Sequence, residues 1–264
     1  TTVFTGALNL GTNVIRTVVT SQDGQSTSVY RVTVPNARTP EKSICFNGNA
    51  QFLSLTTNSN LPLGNSAYTI EAFVKTSVGN QGGITEWGNV GSDQQVNGFA
   101  LGAFVTPNVG YRAYFWGSNL NVNSRNNVLT NGAWHHVVSQ WDGTTRRIYE
   151  DGYLVSQDTP TAANVTNFST FVIGRGWNNN FLNGCLSNLR IVKGKAVYSG
   201  TSTTVPNFSV PNSTLNPTQS ASTNVNAITD TQTVLLMANT DDILLDNSSF
   251  RYSLTLNGTP TISS

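Results

Sequence analysis

The feature that most constrains this chain is the regular alternation of short strand-forming segments with turn residues. Thr, Val, Tyr, Phe and Asn dominate the segments, Ala and Glu are scarce, and Gly or Asn-Gly recurs about every 8–15 residues. Almost no stretch has the 3.6-residue apolar period of an amphipathic helix. This spacing predicts an all-β protein, built as an antiparallel β-sandwich or jelly roll.

The first 36 residues form a unit of their own in the pattern. Residues 14–20 and 27–34 have strand composition, and Asp23-Gly24 between them supplies the positive φ of a hairpin turn. Two strands cannot bury a core alone, so we expect this unit to dock on the rest of the chain or to be the end of a truncated sandwich. The chain begins Thr1-Thr2-Val3, with neither an initiator Met nor a signal peptide, and we expect it to be a piece of a longer protein.

Three further regions follow along the chain. Residues 43–198 carry the main series of strand segments and form the predicted body. Residues 199–232 are poor in charge and rich in Ser, Thr, Asn and Pro, which predicts an extended connector that wraps over a surface. Residues 233–264 resume strand character and are predicted to pack on the body or on a neighbouring molecule.

The low charge of the chain excludes several classes of partner. Charged residues make up 10%, where an ordinary soluble domain carries about 25%, and the net charge is +1. Such a surface provides no field that would collect nucleic acid or an anionic membrane, and no run approaches the roughly 18 apolar residues of a membrane helix. The neutral polar composition favours a surface covered by permanent neighbours, so we expect a homo-oligomer or an assembly with other surface proteins.

The cysteines and histidines give no strong sign of a metal centre. Cys45 and Cys185 are too few for a disulfide scaffold or a thiolate cluster; we expect two buried thiols, with one long-range disulfide as the alternative. His135 and His136 are adjacent on a predicted strand and therefore point to opposite faces, so they do not chelate one metal.

The acidic residues do not form a catalytic pattern. Glycosidases hold two carboxylates at a fixed separation, but Glu71 and Glu86 stand apart, and the adjacent Glu150 and Asp151 are predicted to point in opposite directions. No G-x-S-x-G elbow is present, and Gly82-Gly83 precedes no helix that could complete a phosphate loop. The sequence therefore predicts a protein that is not an enzyme.

Several segments of the body resemble one known family. They are Ile44-Cys45-Phe46-Asn47-Gly48, residues 52–55, residues 68–75, Gly132-Ala133-Trp134-His135-His136-Val137-Val138, Trp141-Asp142-Gly143-Thr144-Thr145, residues 148–152, residues 171–174 and residues 184–191. In order and spacing these segments are similar to the strands of laminin-G-like, concanavalin A-like jelly rolls. The resemblance implies this fold for residues 43–198, with a hairpin unit before it and a strap after it.

A narrower resemblance concerns the context of the domain. The succession of residues 188–198, 233–237, 245–249 and 256–260 resembles laminin-G-like repeats in tail-fibre and virion appendage proteins of bacteriophages. Residues 22–34 are similar to the final strands of cadherin-like β-sandwich modules. These resemblances imply a structural or adhesion protein of a virion or cell surface; the alternative is a secreted bacterial carbohydrate-binding or adhesin module.

The family resemblance also suggests calcium binding, since such domains bind this ion at their rims through a carboxylate and backbone oxygens. Asp93, Asp158 and the Asp241-Asp242 pair are the residues that could take part, although a solvated acid in a turn explains each of them. We therefore predict no cofactor, with calcium as the open alternative.

Sugar binding is the small-ligand hypothesis that the sequence supports best. Alternation along residues 111–116 places Arg112, Tyr114 and Trp116 on one face and Ala113 and Phe115 on the other. Aromatic faces stack on sugar C–H groups and Arg and Asn bind hydroxyls, so a carbohydrate site is predicted from Arg112, Tyr114, Trp116, Trp177 and Asn178. The alternative is that these aromatic residues pack against the N-terminal hairpin, the connector or a neighbouring subunit.

One departure from the family pattern bears on that face. Arg146 and Glu150 flank Ile148 at positions that the family usually fills with apolar residues. We expect a cross-strand or intersubunit ion pair there, on a covered surface.

Overall fold

A computed structural model describes residues 11–20, 27–36, 40, 42–56, 61, 63, 65–90, 96–161 and 170–263. An antiparallel hairpin comes first, with β1 (Gly11–Thr20) paired to β2 (Thr27–Asn36) and Val18 opposite Val29. The predicted Asp23-Gly24 turn lies outside the described residues. No helix in the described part of the chain is long and apolar enough to cross a membrane.

The other strands are short and are separated by turns, as the regular spacing of turn residues in the sequence predicts. In chain order they are β3 (Ser43–Asn47), β4 (Phe52–Thr56), β5 (Tyr68–Lys75), β6 (Gly82–Gly88), β7 (Val96–Val105), β8 (Asn108–Phe115), β9 (Ser118–Asn123), β10 (Trp134–Trp141), β11 (Arg146–Glu150), β12 (Tyr153–Asp158), β13 (Thr170–Ile173), β14 (Arg175–Gly176), β15 (Asn180–Phe181), β16 (Asn183–Lys193), β17 (Thr233–Met237), β18 (Thr255–Asn257) and β19 (Thr261–Ser263). Single 3₁₀ turns occupy Arg125–Asn127, Trp177–Asn179 and Asp230–Gln232.

Within the described residues these strands form two large antiparallel sheets. The eight-stranded sheet has the order β12-β11-β10-β5-β16-β3-β19, with β17 also paired to β16. The seven-stranded sheet has the order β18-β4-β13-β6-β7-β8-β9, and β14 and β15 pair with each other in the loop before β16. The prediction of an all-β antiparallel sandwich of the jelly-roll type is confirmed.

The core fills the space between the two sheets. On β8 the side chains of Tyr111, Ala113 and Phe115 enter this core, while Tyr114 belongs to a separate cluster on the outer face of the seven-stranded sheet. Burial of a large apolar side chain contributes about 1.5–3 kcal/mol, so the alternation along each strand fixes which face turns inward. Core members from the other strands include Ile44, Leu53, Ile70, Trp87, Phe99, Val137, Ile148, Phe171 and Ile191.

The C-terminal strands extend the sandwich. β17 pairs with β16 and β19 pairs with β3, both in the eight-stranded sheet, whereas β18 pairs with β4 in the seven-stranded sheet. The end of the chain therefore contributes to both layers.

The segment between β16 and β17 is a strap over the outer face of the eight-stranded sheet. Tyr198 and Phe208 of the strap stack with their ring centroids 4.0 Å apart, and together with Ile228 they cover Val138 and Tyr149 of the sheet. This face is closed by the chain itself, so it does not offer an open surface for a ligand.

A charged network lies beneath the strap. Glu71 on β5 is fully buried and accepts hydrogen bonds from Arg190 Nε (2.8 Å) and from the Tyr198 hydroxyl (2.6 Å), while His136 Nε2 lies 3.1 Å from the same carboxylate. Burial alone raises the pKa of Glu71, but the Arg190 charge and the His136 and Tyr198 hydrogen bonds outweigh it and lower the pKa to about 2. Arg190 also donates to the Asn216 carbonyl, so the network ties the strap to the sheet.

The expectation of two buried thiols is wrong. Cys45 on β3 and Cys185 on β16 form a disulfide that closes a sequence separation of 140 residues. The two residues are direct partners in the antiparallel register of these strands, which places their sulfur atoms together. The alternative of a long-range disulfide is the correct one.

Candidate functional site

The open outer face of the seven-stranded sheet is organised by strand register. Glu86 on β6 lies opposite Gly98 on β7, Gly98 lies opposite Tyr114 on β8, and Tyr114 lies opposite Asn119 on β9. A second row runs from Gly83 through Ala100 and Arg112 to Asn121 across the same strands. Because alternate residues share a face, both rows point away from the core.

Tyr114 lies across the sheet in the first row. A Cβ atom built on Gly98 would lie 2.4 Å from the Tyr114 hydroxyl, so only glycine at this position lets the phenol cross β7. The hydroxyl then donates to Glu86 Oε2 at 2.7 Å. Burial, with the Glu86 carboxylate in addition, raises the pKa of Tyr114 well above its usual value, and the phenol therefore remains a donor.

The loop that carries β14 and β15 crosses the same face. A Cβ atom on Gly83 would lie 2.2 Å from the Arg175 carbonyl oxygen, which shows how closely the loop backbone approaches β6. Arg175 donates to the Asn179 side-chain oxygen and fixes the following turn. The loop thereby places the half-buried Trp177 beside Tyr114, and the two belong to one cluster with Val96 and Ala100.

We expect Gly83→Ala to displace this loop, because the new methyl group would overlap backbone atoms that cannot rotate away. The cost of overpacking is about 1–3 kcal/mol, and Trp177 should become more exposed. Urea unfolding together with acrylamide quenching of tryptophan fluorescence measures both effects. Gly132→Ala is a control, since nothing lies within 4 Å of its added Cβ and only the strain of its positive φ remains. Wild-type quenching in Gly83→Ala would contradict the prediction.

Arg112 occupies the centre of the second row. Its guanidinium carbon lies 4.2 Å from the centroid of the Phe104 ring and 5.4 Å from that of Trp177, so the cation lies close to two aromatic residues. Arg112 Nε donates to Asn121 Oδ1 at 2.8 Å. Burial lowers the pKa of this half-buried guanidinium, which still remains a cation at neutral pH.

Trp116 completes a concave surface that we name the aromatic groove. The Trp116 side chain is 47% exposed at the turn between β8 and β9, and its backbone N–H donates to the buried Asn97. The groove encloses a cavity of about 240 Å³. Its lining consists of Val96, Arg112, Tyr114, Phe115, Trp116, Gly117, Asn119 and Trp177.

Two other cavities in the described part of the chain are larger but chemically less suited to a specific ligand. One of about 460 Å³ lies beside the strap, where Asp142 and Arg147 already form an ion pair at 2.6 Å. The other, of about 320 Å³, is lined mainly by short loop side chains, and its Trp141 is almost fully buried. Neither offers an exposed aromatic ring.

The sequence-predicted site residues fall into three groups. Arg112, Trp116 and Trp177 line the groove and present accessible surface, as the sugar-binding hypothesis requires. Tyr114 lines it too, but only 4% of the residue is exposed and its hydroxyl is bound to Glu86, so it supports the groove rather than stacking on a ligand. Asn178 is exposed in the turn after Trp177, with φ +55°, and is not part of the lining.

The sequence reasoning missed the other polar and aromatic members of this face. Asn119 and Asn121 alternate with Leu120 on β9, which is a readable sign of a strand with one polar face. Phe104 comes to lie beside Arg112 only because β7 pairs with β8, and no local sequence pattern marks it. The connector was an expected cover for the aromatic residues, but the strap that it forms lies on the other sheet.

The two histidines have carboxylate partners that were not expected, and Glu150 and Asp151 are oriented differently from the prediction. His135 and His136 do face opposite sides, yet each meets a carboxylate: His135 Nδ1 lies 2.7 Å from Asp151 and His136 approaches Glu71. Glu150 and Asp151 were expected to point apart, but the turn after β11 brings atoms of both within 4.8 Å of His135. Asp151 has φ +50°, and this departure from extended backbone explains the error.

The acids considered for calcium are engaged elsewhere. Asp158 forms a bidentate ion pair with Arg146, and the exposed Asp241 pairs with Lys42 at 2.7 Å. Asp242 accepts a hydrogen bond from the Leu244 backbone. Asp93 lies outside the described residues.

The expected pairing of Arg146 with Glu150 is also wrong. Both side chains point into the sandwich with Ile148, where Arg146 is fully buried against the Phe115 ring and binds Asp158. Glu150 accepts a hydrogen bond from the Tyr111 hydroxyl of the opposite sheet at 2.8 Å. Arg146 is thus paired with an acid and Glu150 is hydrogen-bonded inside the protein, and neither marks a covered outer surface.

Comparison with known proteins supports the fold. Residues 47–197 match the profile of the family described as the concanavalin A-like lectin/glucanases superfamily. Among solved structures, a candidate carbohydrate-binding protein of Bacteroides ovatus is similar over 97% of this chain and 70% of its own, with 18% identity and a TM-score of 0.53.

Other solved structures are similar over parts of the chain. A heptameric pentraxin of Limulus polyphemus is similar over 57% of this chain and 75% of its own, with 19% identity and a TM-score of 0.46. Domains LG4-5 of the mouse laminin α1 chain are similar over 63% of this chain and 44% of theirs, with 16% identity and a TM-score of 0.44. Among curated proteins, no sequence matches.

Proposed function

Since the chain belongs to the concanavalin A-like lectin/glucanase superfamily, we propose that it is a non-catalytic module that binds carbohydrate in the aromatic groove. The observation that carries the proposal is the placement of two accessible tryptophan side chains, Trp116 and Trp177, on one cavity beside the Arg112 cation. Tryptophan faces stack on the C–H surface of a sugar ring, and the guanidinium and Asn119 donate hydrogen bonds to its oxygens.

The acids around the groove favour binding over hydrolysis. Among the described residues, no carboxylate lines the groove, and the nearby Glu86 is fully buried beneath Tyr114. Glycoside hydrolysis needs two carboxyl groups on either side of the scissile bond. The groove has the donors and ring faces for recognition without that pair.

The expected result of removing either tryptophan is a loss of glycan binding by about tenfold or more, which is the size of effect that a central aromatic contact has in an interface. Wild type, Trp116→Ala and Trp177→Ala are compared on a glycan array, and hits are quantified by calorimetry. Trp134→Ala is the matched control, because Trp134 lies on β10 in the other sheet. Equal binding by all four proteins would remove the groove from the proposal.

The disulfide supports a location outside the cytosol. Disulfides persist in oxidising compartments and on the surfaces of cells and virions. Together with the sequence resemblance, this supports an adhesion role on a surface, and we propose that the module belongs to a bacteriophage tail fibre or other virion appendage. A secreted bacterial carbohydrate-binding or adhesin module is the second setting.

Self-association is part of the virion proposal. Leu256 on β18 and Ile262 on β19 are 41% and 55% exposed, and both strands lie at sheet edges. Edge strands with exposed apolar side chains can pair with a second copy. Sedimentation analysis should show an oligomer that Leu256→Asn weakens; a wild-type monomer at high concentration would favour the secreted module.

A further inference from the structure

Arg112 differs from the fully buried arginines in the charge that surrounds it. Arg146 is matched by Asp158 and Arg190 by Glu71, as expected where burial of an unpaired cation is costly. Arg112 is half-buried, and within the described residues it has no acidic partner and no hydrogen bond from either Nη atom. Its Nε already donates to Asn121. The two Nη groups, which we call the free fork of Arg112, therefore remain as donors for a ligand.

The surroundings hold the free fork in position. Phe104 and Trp177 lie against the guanidinium, and the Asn121 hydrogen bond fixes its rotation in the plane. Arg112 lines the aromatic groove together with Trp177 and Trp116. A planar guanidinium with two parallel N–H donors matches an oxyanion in a bidentate arrangement.

We propose that the ligand of the aromatic groove is an acidic sugar, whose carboxylate or sulfate group binds the free fork of Arg112 while its ring stacks on tryptophan. This inference rests on the proposed function, because it names the class of sugar for that same groove. The anion would supply the charge that no described acidic residue places beside Arg112, so affinity should fall with rising salt.

The test is an array on which each acidic glycan is printed beside its neutral counterpart: uronate beside carboxyl-reduced, sialylated beside asialo, sulfated beside desulfated. Wild type is expected to bind an acidic member at least tenfold more tightly than its neutral partner. The three pairs show whether the oxyanion is a carboxylate or a sulfate. Arg112→Gln should lose that difference, whereas Arg112→Lys should keep part of it.

The control for net charge is Arg251→Gln, which removes the same charge from an exposed residue outside the groove lining. Unfolding midpoints of the three variants show that each is folded. Equal binding of acidic and neutral partners, or an unchanged preference in Arg112→Gln, would overturn the inference while leaving the groove as a neutral-sugar site. Binding that is indifferent to Trp116→Ala and Trp177→Ala would overturn the proposed function itself.

Discussion

Replacing Glu71 with glutamine is expected to lower the free energy of unfolding by about 3–5 kcal/mol. The substitution keeps the shape of the side chain but leaves the Arg190 cation buried without its counter-charge, and the Tyr198 hydroxyl loses a charged acceptor. Urea unfolding at neutral pH measures the loss. Limited proteolysis should also cut residues 199–232 faster, because the network ties the strap to the sheet.

Asp241→Asn is the matched control for removal of an acid. Asp241 pairs with Lys42, but its side chain is 90% exposed, and exposed ion pairs contribute about 0–1 kcal/mol. A Glu71→Gln protein that unfolds within 1 kcal/mol of the wild type would show that the network does not stabilise the fold. Arg190→Met tests the other partner, and the double variant should lose less than the sum of the two single changes.

The same network predicts an acid-dependent loss of stability. The pKa of Glu71 is lowered from 4.5 to about 2 in the folded protein. A group with a depressed folded pKa stabilises above its unfolded pKa, and that contribution is lost as the pH falls from about 4.5 towards 2. Each unit by which folding lowers the pKa corresponds to about 1.36 kcal/mol, so Glu71 contributes about 3 kcal/mol to the free energy of unfolding at neutral pH. Unfolding curves between pH 5 and 2 should converge for the wild type and Glu71→Gln; parallel curves would contradict the assignment.

Loss of the Cys45–Cys185 disulfide is expected to cost about 2–5 kcal/mol. The bond closes a long loop that spans most of the sandwich, and a cross-link of this length restricts the unfolded chain strongly. A Cys45→Ala/Cys185→Ala protein should therefore unfold at lower urea concentration, and dithiothreitol should lower the wild-type midpoint in the same way. Dithiothreitol applied to the double variant is the control for effects of the reagent alone.

A thiol titration under denaturing conditions supplies the independent check. Wild type should show no free thiol until it is reduced, whereupon both cysteines should react. Two free thiols in the unreduced protein would contradict the disulfide, and would also remove its support for a location outside the cytosol.

The aromatic groove shows which parts of its lining can be derived from local sequence. Alternation on β8 correctly separated Arg112 and Tyr114 from Ala113 and Phe115, because the two-residue period of a strand is a local property. The burial of Tyr114 could not be derived in this way. It depends on Gly98 of the neighbouring strand, on Glu86 one strand further away and on a loop that arrives from residues 175–179.

The disulfide and the buried ion pairs show the same limit. Composition gave two cysteines, but their bonding depends on the register of β3 against β16, which are separated by 140 residues. Arg146 and Glu150 were recognised as unusual, but only the packing of the two sheets shows that they point inward and bind Asp158 and Tyr111.

By itself, the sequence determined the fold class, many of the strand segments and which residues of a strand share a face, since turn residues and apolar alternation act over a few neighbours. Only the tertiary structure decided which outer face the strap covers, which acids neutralise the buried arginines and that Arg112 meets no acid among the residues that the structure describes. Those outcomes depend on contacts between residues far apart in the chain, where no local pattern sets the distance or the register.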